Sequence, residues 1–171
     1  MSQPEKKRLS IRRLLLFLTL GVVLAYHLIW AVNYLSYQRY MDELPGNHSP
    51  VAMRKSYFST ENDVVYYVKR PDYLTLDGNL VCSTKDDSIS ILVWPNYLCR
   101  DIDCYGLMMQ DPETKHGYMF YVDENMEFLP ENYTNLSLEI AADAEKMFNQ
   151  HKSEVLELFQ LMQEEFKFDK S

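Results

Sequence analysis

The sequence predicts an α+β domain carried on a single N-terminal transmembrane helix. Three observations predict it. Leu14 to Leu35 contains no Asp, Glu, Lys or Arg. Short runs rich in β-branched and aromatic residues then alternate with turn-forming residues, without intervening helical periodicity. From Leu136 the apolar period changes to steps of three and four, the stripe of an amphipathic helix. Strands followed by one long helix imply a small antiparallel sheet with one face covered by that helix.

The apolar run comes first. At about 1.5 Å per residue its 22 positions rise about 33 Å, matching a hydrocarbon core of about 30 Å. Lys6, Lys7, Arg8, Arg12 and Arg13 all precede it, and only Glu5 opposes them. Cationic residues favour the cytoplasmic side, so residues 1–13 read as a cytoplasmic tail and 14–35 as a signal anchor in a plasma or inner membrane. Tyr26, Trp30, Tyr34 and Tyr37 gather toward the far end, where amphipathic rings suit the membrane interface. Val23 to Ala25 also fits a signal-peptidase site, so cleavage after Ala25 is the rival reading. The apolar character continues through "YHLIWAV" beyond that point, which favours an anchor that stays.

Residues 36–55 read as the end of that helix, broken by Pro45 and Gly46, and a linker. The rest, 56–171, reads as one extracytoplasmic domain. Subtracting the five leading cations and Glu5 from totals of 17 basic and 25 acidic residues leaves twelve and 24, about −12 for the bulk of the chain. Such a surface repels nucleic acid and anionic head groups.

Strand signals follow in order: "VVYYVKRP"; "LVCST" after the Asp77–Asn79 turn; "ISILVWP" after "KDDS", with Ile89, Ile91 and Val93 on one face; "YGLMMQ" and "GYMFYVD" across a turn with Asp111, Pro112 and Gly117; and "MEFL" before Pro130. In the final helix Ile140, Ala144, Met147, Phe148, Val155, Leu158, Phe159, Met162 and Phe166 form the apolar stripe. Asn135 or Ser137 is suited to cap its start. His151 falls on the stripe, and "NQHKSE" is a candidate kink.

Candidate chemistry is sparse. Cys82, Cys99 and Cys104 can supply one disulfide if the domain lies outside the cytoplasm, with three pairings open and one thiol left over. Four residues separate Cys99 from Cys104, so the two-residue spacing of a thioredoxin-like motif is missing. His27, His48, His116 and His151 are too scattered for a zinc site. The acidic pairs Asp86–Asp87 and Asp101–Asp103, and Asp123 with Asn125, follow no EF-hand pattern and serve turns at least as well. No nucleophile elbow, P-loop, dinucleotide fingerprint or zincin string occurs. Asn47, Asn132 and Asn135 open glycosylation-type strings. The Met and aromatic residues of the fourth and fifth strand signals suit either a covered sheet or a groove for a partner.

The expectation is therefore a non-enzymatic binding or accessory module, with no cofactor, that meets the lipid bilayer through its helix and a protein partner or small ligand outside the cytoplasm. A small membrane-anchored enzyme of hydrolase type and an apolar-ligand carrier are the alternatives.

Overall fold

The computed structural model describes residues 11–49, 53–74, 76–95, 105–111, 115–129 and 138–167. Helix α1 (Ile11–Ser36) and the short α2 (Gln38–Glu43) run almost as one rod. Across their junction the Met41 amide still donates to the Tyr37 carbonyl at 3.1 Å. This is a helix long and apolar enough to cross a membrane. Every residue of its first fifteen is exposed. Leu44 ends the rod in an extended conformation (φ −70°, ψ 121°), as a residue before proline must. Gly46 then turns the chain at φ 109°.

Seven strands follow as an antiparallel meander: β1 (Asn47–Ser49), β2 (Arg54–Ser59), β3 (Val64–Lys69), β4 (Asn79–Thr84), β5 (Ile89–Val93), β6 (Tyr105–Gln110) and β7 (Gly117–Val122). Sequential order means each strand is joined to its neighbour, so short turns suffice. Between β4 and β5 the Asp86 carboxylate accepts from the Ser88 amide and hydroxyl and from the Thr84 hydroxyl. Those bonds hold its pKa below the usual carboxylate range. After β7, Asp123 does the same for the amides of Asn125 and Glu127.

Register places alternate residues of β3 to β7 on one buried face: Tyr66, Cys82, Ile91, Leu107 and Phe120 lie in one row across five strands. Helix α3 (Leu138–Phe166) covers that face. Its buried residues are Ala144, Met147, Phe148, Val155, Leu158, Phe159, Met162 and Phe166, the expected stripe apart from Ile140, whose side chain lies outside the description. Edge-on ring contacts pin it along its length: Phe148 to Phe120 at 5.8 Å, Phe159 to Tyr105 at 4.9 Å, and Phe166 to Tyr66 at 5.9 Å.

Three sequence expectations change. Among its described residues the presumed linker carries α2, β1 and the start of β2, and Tyr37, Tyr40, Met41 and Leu44 belong to the core of the domain. The domain therefore begins at the end of the long apolar helix. The candidate kink in α3 is absent, because no Gly or Pro interrupts 138–166, and His151 pairs with Glu154 at 2.7 Å on an ordinary helical turn. "MEFL" makes one bridge, Phe128 to Val122, and no strand. Cys82 is a free thiol buried on β4. Cys99, Cys104, Lys6, Lys7, Arg8, Asn132, Asn135 and Ser137 lie outside the described residues.

Candidate functional site

Two surfaces are built with care, and the first is the junction between rod and domain. Tyr26, Trp30 and Tyr34 recur at four-residue spacing, so they share one face of α1. In the structure that face meets protein. Tyr73, in the loop between β3 and β4, packs edge-on against Tyr26 at 5.2 Å and Trp30 at 5.4 Å. The Tyr26 hydroxyl donates to the carbonyl oxygen of Tyr73. His27 Nδ1 lies 2.7 Å from the Val23 carbonyl and Nε2 lies 2.9 Å from the Tyr73 hydroxyl. The proton thus belongs on Nδ1, and Nε2 accepts from the tyrosine.

One turn further on, the Arg70 guanidinium sits over the Tyr34 ring at 4.5 Å and donates to the Tyr34 hydroxyl at 2.5 Å. Its other terminal nitrogen donates to Gln38 Oε1. Tyr37 is buried against Gly78. A Cβ at that glycine would stand 2.8 Å from Tyr37 Cζ and 2.7 Å from the Lys69 carbonyl, so only glycine lets the helix end approach. A hollow of about 590 Å³ opens beside this junction, with Ile29 and Asn33 on the helix side and Leu76, Trp94, Pro95 and Tyr121 on the domain side.

The second surface is the sheet face turned away from α3. Its middle is low. Ser83 and Ser90 face each other across β4 and β5, their hydroxyls 2.7 Å apart, and Gly106 lies under the Trp94 indole. Around that floor Phe58, Met108 and Met119 stand out, 38%, 46% and 43% exposed. Met108 and Met119 are direct register partners on β6 and β7. They flank an open hollow of about 390 Å³ whose rim includes Asp87, Gln110 and Tyr118. Methionine's unbranched, polarisable side chain adapts to partners of differing shape.

Burial raises Tyr37, which lines the junction hollow, and Tyr67, half-buried on this sheet face. Cys82 and Tyr66 lie inside, on β4 and β3, with the half-buried Glu165 near the end of α3. Burial raises all three, and Glu165 adds to the effect on the other two. The Cys82 thiol is pushed up to about 12, so it stays protonated and unreactive. Among the described residues no group of three or more His, Cys, Asp or Glu gathers to hold a metal ion. Arg12 and Arg13 sit in the first turn of α1, at the end remote from the domain. Of the aromatic residues singled out in the sequence, the fold brings Tyr26, Trp30, Tyr34 and Tyr37 together against the domain. Sequence reasoning missed their partners Arg70, Tyr73 and Gly78. The "KRPDY" string offered only a strand end.

No protein-family model, curated protein or solved structure matches the chain.

Proposed function

We propose that the chain is a membrane-anchored binding or accessory module, non-enzymatic, whose domain lies outside the cytoplasm and engages a protein partner through the open face of its sheet. The observation that carries this reading is the pairing of Met108 with Met119 on the open face of the sheet, while the Cys82 and Tyr66 groups, raised by burial, sit in packed core. Enzymes concentrate perturbed groups in a concave pocket. Shallow apolar surfaces suit macromolecules. Anchorage is supported by the exposed apolar length of α1, and its orientation by Lys6, Lys7, Arg8, Arg12 and Arg13 at one end.

Apolar-ligand carriage draws support from the junction hollow with Trp94 and Tyr121, though Asn33 and Asp77 give that space a polar share.

The test is photocrosslinking of the full-length protein in its native membranes with a photoreactive residue at position 119. The expected result is one stoichiometric protein adduct that Met108→Glu abolishes while leaving expression and carbonate resistance intact. Failure to trap any protein at position 119, or an adduct indifferent to M108E, overturns the partner reading. A mature chain whose mass begins at Tyr26, and which washes off with carbonate, overturns the anchor.

A further inference from the structure

The junction carries a consequence for lipid, and it rests on the anchor reading above. If the hydrocarbon layer starts at Leu14 and is about 30 Å thick, it takes up about 20 residues of α1 and ends near Asn33. Tyr26 and His27 then lie about 10 Å inside that level, seven and six residues earlier. Starting the layer at Ile11 still leaves them about 5 Å inside. Yet both residues are bonded to the domain. Tyr26 donates to the Tyr73 carbonyl, and the Tyr73 hydroxyl meets His27. Whatever depth Tyr26 occupies, Tyr73 and Leu74 occupy it too.

The loop is shaped for that position. The Asp72 carboxylate accepts from the Leu74 amide at 2.9 Å, and the Leu76 amide donates to the Asp72 carbonyl at 3.2 Å, closing a tight turn. Its apex, Leu74, is 87% exposed, the most exposed large apolar side chain among the described residues. At the same level the exposed apolar side chains of α1 include Leu24 and Leu28. The Tyr26 hydroxyl, both His27 nitrogens and the Tyr73 hydroxyl find partners within the protein, which low-dielectric surroundings require. Interfacial segments bury about 5–10 Å into the head-group and acyl boundary, the depth obtained above.

We infer that the turn bearing Tyr73 and Leu74 dips into the bilayer leaflet at the C-terminal end of α1, giving the domain a second lipid contact beside its helix. The bound chemistry is the upper acyl region of ordinary phospholipid.

The experiment places a benzoylphenylalanine at position 74 of the full chain, with position 18 in α1 and position 58 on the open sheet face as references. The protein is reconstituted in phosphatidylcholine vesicles, irradiated, and assayed for lipid adducts by intact mass. Position 74 is so exposed that the replacement leaves the core untouched. Adduct at 74 comparable to that at 18, and lost at 58, is the expected pattern. Adduct at 18 without adduct at 74 overturns the inference while the anchor stands. No adduct at 18 overturns the anchor and the inference together. Equal adduct at 58 and 74 also overturns it, because the whole sheet would then lie on lipid.

Discussion

Tyr40→Ala measures how far the domain depends on the last turns of the N-terminal rod. Tyr40 is 3% exposed, and its ring meets Phe166 of α3 edge-on at 6.0 Å and Tyr37 at 6.3 Å. Phe166 in turn leans on Tyr66 of β3, so Tyr40 closes a chain of rings from α2 through α3 to the sheet. Removing a large buried aromatic ring costs about 3–5 kcal/mol, the spread reflecting how well the cavity collapses. Single domains hold about 5–15 kcal/mol in all, so this is about a fifth or more of a typical reserve. At roughly 3–5 °C per kcal/mol for a domain of this size, Tm falls by about 10–20 °C. Tyr40→Phe keeps the ring and loses only the acceptor for Arg39, 2.6 Å away, and so costs about 1 kcal/mol. The assay is thermal unfolding of the full chain in detergent, followed by near-ultraviolet circular dichroism. A Tyr40→Ala drop no larger than that of Tyr40→Phe would refute the claim that rod and domain form one folded body.

Gly78→Ala forces a Cβ against Tyr37, Lys69 and Pro71 and costs about 1–3 kcal/mol in denaturant unfolding, whereas Gly117→Ala, with open space around it, costs nothing comparable. Glu165→Gln tests the sign of a half-buried carboxyl. Burial raises its folded-state pKa, so the native fold prefers the protonated form, and that preference is lost as pH rises through the carboxylate range. The glutamine variant should therefore melt higher than the parent at pH 7, with the gap closing in acid; a lower Tm at pH 7 contradicts the assignment. Cys82 should resist iodoacetamide in the native protein and react once guanidinium unfolds it, as read by peptide mass; native alkylation would mean the β4 thiol is not where the fold buries it.

Much of the sheet could be read from the chain because its strands alternate cleanly between turns of recognisable chemistry. Val64, Tyr66 and Val68 point inward with period two, and Asp86 and Asp123 organise the turns their positions suggested. Strand β2 escaped notice because "RKSYFS" opens with polar residues and its inward set is Lys55, Tyr57 and Ser59, no apolar stripe at all. It is a strand because β3 pairs with it, and β1 is one because β2 does. The helix α3 was legible from its stripe alone, since an uninterrupted 3.6-residue period has few other uses. The aromatic residues at the end of α1 illustrate the opposite case. A ring with a wet edge and an apolar body satisfies a lipid interface or a protein crevice equally, and the deciding partner, Gly78, lies 41 positions away from Tyr37. The Met108–Met119 pair was legible as alternation, yet which of its two faces α3 would leave uncovered depends on register, which no single strand reveals.

The seamless passage from α1 through α2 into the core has one further effect. A domain on a slack tether sweeps a hemisphere and meets partners at many heights and angles. With α1 as the proposed anchor, a stiff mast would hold the sheet at one altitude, and each added or deleted helical residue would swing it about 100° around the mast. On the anchor and partner proposed above, encounters would become a two-dimensional search among neighbours whose own contact surfaces stand at matching elevation.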